Sequence, residues 1–434
     1  CGPLKIISAA EFSMIESINQ QARMESVSVI RPSSRLPSFD ALLYSTMGLL
    51  TLLIGSWVPD ERLNFSGIPF DLLIMIFAAI IATTGSIRLV TLQSVALVQA
   101  PLLLLGLSLF WSTDPDDGLE KFTTLMVSGN LAFILLNTVI ERHGLPQLAK
   151  LIIAYLGLLL LVAIPYKIAF GFFDRSVNFF INGPIIFARL MSIAALLALY
   201  FMRGRARKYT VICFCLAIIW TESKGPILAM IITLVVIALF YASPAARKKF
   251  YWYLGAFIFS LILLANYFGL TNSDFGRLGS LYMVATGDIS VIEQYSGTTS
   301  FIARMEMWGK TVELIPNEPF GVGLGAWDRA VDTRVPTPYA HNLFLELWSE
   351  GGVLLGSIAA LPFLIFFKSP RRVFWFVTFC LFLAQMVSGD IADARFLMVF
   401  SLLSYFSPQV RDDATTTSSD NPLLDKNTEL VAAR

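Results

Sequence analysis

The chain is poor in charge, histidine and cysteine, and these shortages exclude several classes of protein. Charged residues make up 15% of its 434 residues, whereas hydrophobic residues make up 56%. Soluble domains carry about 25% charged residues, so the composition excludes an ordinary soluble enzyme and a disordered chain. The formal net charge of +1 provides no general attraction to nucleic acid, and we expect no nucleic-acid partner.

The few cysteines argue against both disulfides and a cysteine-based zinc site. Cys213, Cys215 and Cys380 lie inside apolar runs, where a thiol is most often a small packing group. No cysteine pair falls in a connection between those runs, so a secreted disulfide scaffold is not indicated. A histidine without cysteine neighbours makes a poor zinc site, and we predict no metal and no cofactor.

What the sequence has in quantity is long apolar runs, which predict a membrane protein that crosses the bilayer many times. The bilayer offers the backbone no water, so each run must be a helix. Since about 20 residues cross the hydrocarbon core, the runs predict an all-α integral membrane protein with about twelve transmembrane helices. The predicted spans are 41–58, 69–87, 94–111, 119–140, 148–171, 184–202, 209–221, 226–242, 251–270, 341–367, 372–388 and 395–407.

The distribution of Lys and Arg predicts the orientation of these spans. Successive connections lie on opposite sides of the membrane, and most of the 32 basic residues fall in those on the same side as the N-terminus. Because Lys and Arg are enriched in cytoplasmic connections, this distribution predicts that both termini are cytoplasmic. The predicted organisation is a cytoplasmic N-terminal segment (1–40), transmembrane helices 1–9 (41–270), a large periplasmic loop (271–340), transmembrane helices 10–12 (341–410) and a disordered cytoplasmic tail (411–434).

The loop over 271–340 is far longer than the other connections, and loops of this length are usually functional or disordered. Its aromatic residues favour a folded loop. Residues 298–314 have helical periodicity that places Phe301, Met305, Trp308 and Val312 on one face. The Pro- and Gly-rich stretch over 315–325 then predicts turns.

The two histidines differ in their setting. His143 lies in a short cytoplasmic connection and is expected to be a solvated surface residue. His341 lies where the long loop re-enters the membrane, and an imidazole suits proton transfer near neutral pH. The alternative is that His341 merely caps a helix. Glu346 and Glu350 follow it; they either orient the imidazole, hold a basic partner, or are acidic groups that favour a helix start.

Several basic residues accompany His341 on the predicted outer side. Arg189 lies about one turn inside a span, where a guanidinium usually faces a polar cavity or an anion unless it snorkels to the surface. Lys224 opens a helix and either seats an anion or pairs with Glu222. Arg277 and Arg304 lie in the loop; Arg304 shares a helix face with Trp308, or else pairs with a nearby Glu. This set fits chemistry on a lipid pyrophosphate held by guanidinium groups.

Four segments, taken together in order and spacing, resemble the O-antigen ligase and polymerase superfamily. They are residues 304–308 (Arg-Met-Glu-Met-Trp), 319–325 (Pro-Phe-Gly-Val-Gly-Leu-Gly), 341–352 (His-Asn-Leu-Phe-Leu-Glu-Leu-Trp-Ser-Glu-Gly-Gly) and 223–226 (Ser-Lys-Gly-Pro). The last is similar to a Ser-Arg-Gly element of that family, with Lys in place of Arg. An ammonium lacks the two-pronged contact of a guanidinium.

The resemblance implies a bacterial inner-membrane glycosyltransferase of GT-C-like architecture with a periplasmic active site. Such enzymes move a polysaccharide from undecaprenyl pyrophosphate to an acceptor hydroxyl, without metal and with inversion. By this resemblance His341 would be the general base. The pyrophosphate would be held by Arg189, Lys224 and one or both of Arg277 and Arg304. Supporting residues would be Glu306, Trp308, Asn342, Glu346 and Glu350.

The resemblance leaves the acceptor open. In a ligase it is a sugar of lipid A–core, which we favour because a single outer loop is large. In an O-antigen or exopolysaccharide polymerase the acceptor is the growing glycan. The partners expected are thus the lipid-linked donor, the lipid A–core acceptor and membrane lipids. A transporter or flippase is a further alternative, although no repeat symmetry is evident and the polar residues cluster on one side.

Overall fold

A computed structural model describes the parts of the chain on which the site depends. The described residues are 37–55, 64–65, 68–85, 96, 99–172, 177–181, 183–241, 244, 247–248, 251–252, 255, 296–333, 337, 339–368 and 372–406. Several predictions fall outside them. These are almost all of the N-terminal segment, most of the span over 251–270, the first part of the long loop with Arg277, and the C-terminal tail.

The described residues are almost entirely helical, as predicted. Each predicted span other than 251–270 coincides with a helix. A short antiparallel pair, β1 (Asn64–Phe65) and β2 (Ile68–Pro69), was not predicted. The helices are α1 Phe39–Leu52, α2 Phe70–Thr83, α3 Gln99–Trp111, α4 Pro115–His143, α5 Leu145–Phe170, α6 Pro184–Phe201, α7 Gly204–Trp220, α8 Lys224–Tyr241, α9 Ser296–Asn317, α10 Trp327–Ala330, α11 Leu343–Leu364, α12 Arg372–Ser388 and α13 Ala394–Phe406.

Length and composition support an integral membrane protein. Within the described ranges, four helical segments are long and apolar enough to cross a bilayer: Pro115–His143, Leu145–Phe170, Pro184–Phe201 and Leu343–Lys368. The other apolar helices are shorter, for example Phe39–Leu52 with 14 residues. The count of twelve spans therefore stays a prediction.

Two helices form the centre of the bundle. Helix α6 packs against α5, α7 and α12, and its residues from Ile186 to Ala198 are all buried. Helix α13 packs against α4, α11 and α12. Both helices are rich in small and apolar side chains, which lets neighbouring helices approach closely in a lipid environment.

Contacts between distant connections define one end of the bundle, which we call the His341 end. Trp111 Nε1 donates to the Gly321 carbonyl at 3.1 Å, which ties the end of α3 to the turn after α9. At the start of α13, Arg395 Nε donates to the Leu52 carbonyl at the end of α1, at 2.9 Å. The predicted outer connections thus meet at a single end.

The helix expected over 298–314 is present as α9, but its packed face is not the one carrying Met305 and Val312. Those two side chains are 51% and 55% exposed. The buried side chains are Met307 and Thr311, because Met307 joins a small cluster with Trp327, and Trp327 Nε1 donates to Thr311 Oγ1 at 3.0 Å. Apolar periodicity alone did not reveal which face of α9 meets the α10 segment.

Candidate active site

His341 is held in a left-handed backbone conformation between two fixed neighbours. Its φ is +56°, which is uncommon for a residue with a side chain. On one side, Trp308 of α9 donates from Nε1 to the Ala340 carbonyl at 3.0 Å. On the other, Asn342 Nδ2 donates to the Met386 carbonyl at 2.9 Å. Backbone strain of this kind clusters at functional sites, where the surrounding structure maintains it.

Asn342, rather than His341, caps helix α11. Its Oδ1 accepts hydrogen bonds from the backbone N–H groups of Phe344 at 3.0 Å and Leu345 at 3.2 Å, which otherwise have no partner within the helix. The alternative prediction, that His341 caps this helix, is therefore wrong. The imidazole instead packs edge-on against the Tyr339 ring, with ring centroids 4.4 Å apart.

The His341 imidazole is kept neutral by its surroundings. Burial, followed by the positive charges of Arg304 and Arg189, lowers the pKa of His341 to about 4. Its Nδ1 is buried and has no hydrogen-bond partner among the described residues. At neutral pH the side chain is therefore able to accept a proton.

Arg189 is buried rather than extended to the surface. It is 1% exposed, and its Nη1 donates to Asp393 Oδ2 at 3.0 Å while its Nη2 donates to the Ser388 carbonyl at 2.9 Å. The snorkelling alternative is therefore wrong. The guanidinium instead joins α6 to the connection between α12 and α13, where it acts on the charge state of His341.

Lys224 lies beside the same connection. A Cβ built on Gly225 would lie 2.8 Å from Ser388 Oγ, so the first turn of α8 packs closely against the end of α12. The like charges of Lys224 and Arg304 interact. Burial raises the pKa of Glu222, and the charge of Lys167 opposes that rise, so Lys167 is a cationic neighbour of Glu222.

The basic partner expected for Glu346 and Glu350 is Lys121 of α4. Lys121 Nζ lies 3.2 Å from Glu346 Oε1 and 3.1 Å from Glu350 Oε1, and 3.3 Å from Asp117 Oδ2. The two glutamate side chains are 0% exposed and that of Lys121 is 7% exposed. One ammonium thus lies between two buried carboxyl groups that are 225 and 229 positions away in the sequence, and no local pattern indicated this pairing.

The remaining glutamate oxygens bind two further segments. Glu350 Oε2 accepts from the Gly325 N–H at 3.0 Å, and Glu346 Oε2 accepts from the Ile391 N–H at 3.2 Å. Ile391 lies two residues before Asp393, which holds Arg189. Lys121, Glu346 and Glu350, which we call the Lys121 cluster, therefore support the connection that positions Arg189.

The glycine-rich turn over 319–325 serves packing. Gly323 has a φ of +93°, and its N–H donates to the Glu350 carbonyl at 2.9 Å. Val322 N–H donates to the Ser349 carbonyl at 2.9 Å. Helix α11 is interrupted at Gly352, with a φ of +74°, which leaves those carbonyls available. The N–H groups of residues 321–325 are thus bound to protein acceptors.

Two acidic residues that sequence reasoning missed complete the His341 end. Asp390 Oδ1 accepts from the Asp393 N–H at 2.5 Å. Burial, together with the charge of Asp393, raises the pKa of Asp390 to about 7. Asp393 also lies 3.7 Å from Arg395 Nη1. The signal in the sequence was the run Asp-Ile-Ala-Asp-Ala-Arg at the start of an apolar helix.

Comparison with protein families finds a similarity in the central part of the chain. Residues 209–360 match a family described as O-antigen ligase. The matched segment is about a third of the chain, and over these residues the chain is similar to that family. No curated protein matches the chain. The family match supports a general ligase or polymerase function of a glycosyltransferase-like kind.

The match to the O-antigen ligase family contains only part of the site. Lys224, Arg304 and His341 lie inside the matched residues, as do the two glutamates of the Lys121 cluster. Arg189 and Lys121 lie outside it. The structure brings both groups together at the His341 end. Of the other predicted supporting residues, Trp308 and Asn342 brace His341, and Glu306 pairs with Lys310 at 3.3 Å.

Proposed function

We propose that this protein is an O-antigen ligase of the bacterial inner membrane. It transfers a polysaccharide from undecaprenyl pyrophosphate to a sugar hydroxyl of lipid A–core, with the His341 end facing the periplasm and both termini in the cytoplasm. The observation that carries the proposal is a half-buried, neutral His341, with a buried and unpartnered Nδ1, beside the positive charges of Arg304 and Arg189. A proton acceptor beside two positive charges suits transfer from a pyrophosphate.

The proposed reaction is a single displacement with inversion. His341 takes the proton of the acceptor hydroxyl, and the acceptor oxygen forms a bond to the anomeric carbon of the donor sugar. The bond from that carbon to the pyrophosphate oxygen breaks, and the electron pair leaves with the pyrophosphate. Arg189, Lys224 and Arg304, with Arg277 as a further candidate, hold that charge without a metal ion.

The same cations account for the timing of proton transfer. In the absence of donor, burial, and after it the charges of Arg304 and Arg189, lower the pKa of His341, so it is a weak base. A bound pyrophosphate would offset both positive charges, so the part of the lowering that they cause would be reversed and the pKa of His341 would rise, while the lowering by burial would stay. The base would then be strongest when the donor is in place, which limits wasteful hydrolysis of the donor.

The deciding experiment compares the two histidines of the chain. Purified protein in detergent is given lipid-linked donor and lipid A–core in the presence of a chelator. We expect His341→Ala to lose transfer by about 100-fold or more, as for loss of a general base. The matched control, His143→Ala, changes the only other histidine and should retain full transfer.

Each alternative function gives its own result in this comparison. Chain growth with donor alone, and no transfer to lipid A–core, would make the protein a polymerase. Movement of the donor across reconstituted vesicles that survives His341→Ala would indicate a transporter. Full transfer by His341→Ala would remove the proposed base, whatever the acceptor.

A further inference from the structure

Buried polar atoms without hydrogen-bond partners are concentrated near His341. Such atoms are rare in native proteins, and each requires an explanation. Among the described residues, six buried side-chain atoms have no partner. Four of them belong to three residues: Arg189 Nε, His341 Nδ1, and both amide atoms of Gln385. Gln385 has no role in the mechanism above.

Gln385 lies next to the groups that hold the candidate site. It is 1% exposed, near the end of α12. The carbonyl of the following residue, Met386, accepts from Asn342 beside His341, and the carbonyl of Ser388 accepts from Arg189. A Cβ on Gly389 would overlap Gln385 Oε1, so the amide lies over Gly389 and points toward the connection to α13.

The chemistry of the amide selects the ligand group. Gln385 offers one acceptor oxygen and an NH₂ donor, and neither has a partner among the described residues. A phosphate oxygen would satisfy only the donor. A sugar hydroxyl both donates and accepts, so one or two hydroxyls would satisfy the whole amide. An uncharged amide beside a guanidinium therefore fits a sugar attached to a phosphate.

We propose that Gln385 binds a hydroxyl of the sugar that the pyrophosphate carries. This inference rests on the proposed function and adds a sugar-binding residue to it. Arg189 and the other cations bind the phosphates, and Gln385 orients the sugar ring next to the reacting carbon. The donor sugar is thus recognised by a residue outside the segment that matches the O-antigen ligase family.

The test replaces the amide with a side chain of similar length and shape, Gln385→Met. Binding is measured with two probes, undecaprenyl pyrophosphate carrying the glycan and undecaprenyl pyrophosphate without sugar. We expect affinity for the glycan-bearing probe to fall by about tenfold, the value of one or two buried hydrogen bonds. Affinity for the probe without sugar should stay within about twofold, because its phosphate contacts are unchanged.

A matched control and a stability measurement separate binding from folding. Gln99 is also buried, but it lies away from the candidate site. It is at the start of α3, about 18 Å along that helix from Trp111, which lies at the His341 end. Gln99→Met should leave both affinities unchanged. Without ligand, Gln385→Met should unfold at the same temperature as wild type or higher, since it removes unpaired buried polar atoms.

Each outcome supports or overturns the inference. A fall of about 5 °C or more in the unfolding temperature would show that the amide has partners within the fold. If the affinity for both probes falls equally, or if neither affinity falls, the sugar assignment is overturned while the proposed function stays in place. If wild-type protein binds neither probe, the proposed function itself fails.

Discussion

Removing the positive charge of the Lys121 cluster should destabilise the protein far more than removing a surface charge. Lys121 Nζ contacts Glu346 and Glu350, whose side chains are 0% exposed, at 3.2 and 3.1 Å. The variant Lys121→Gln leaves two buried carboxylates facing a neutral amide. Breaking a buried ion pair in this way costs about 3–5 kcal/mol in the free energy of unfolding.

A surface pair in the same chain provides the control. Lys310 lies 3.3 Å from Glu306, but the two side chains are 39% and 22% exposed. Solvent screens this pair, so Lys310→Gln should cost less than about 1 kcal/mol. The two substitutions are chemically identical, and the contrast between them isolates the effect of burial.

Neutralising the whole cluster should restore most of the loss. In Lys121→Gln/Glu346→Gln/Glu350→Gln no buried charge remains in the cluster, and the amides can bind one another and the Gly325 and Ile391 N–H groups. The assay is thermal unfolding in detergent at a fixed scan rate, followed by tryptophan fluorescence. The reasoning is refuted if Lys121→Gln loses no more than Lys310→Gln, or if the triple variant is no more stable than the single one.

Two further predictions concern charge at the site. In a His143→Gln background, NMR of labelled histidine should give His341 a pKa of about 4 without donor, and Arg304→Gln should raise it; a value unmoved by Arg304→Gln would contradict the electrostatic account. Arg304→Ala and Arg189→Ala should each lower transfer by about tenfold or more, and Arg304→Lys should recover little, because an ammonium lacks the guanidinium fork. Wild-type turnover in the alanine variants would show that these cations are structural.

Local sequence was sufficient to predict the helices and the most unusual polar residues. The apolar runs predicted helices because a backbone in lipid must satisfy its own hydrogen bonds, and those on described residues are helical. His341 and Arg189 were also identified, because an imidazole is rare in this chain and a guanidinium in an apolar helix is costly.

Tertiary structure decided which of these residues form ion pairs or hydrogen bonds, and with which other residues. Lys121 and Glu346 are 225 positions apart, and no local pattern marks one as the partner of the other. Gln385 lies in α12 and Asp393 in the connection to α13, and their relation to Arg189 and His341 exists only because α12 packs against α6 and α11. A periodic pattern of apolar residues is local and can be read from the sequence. Ion pairs, and the burial of an amide without a hydrogen-bond partner, depend on contacts that form only when distant segments pack together.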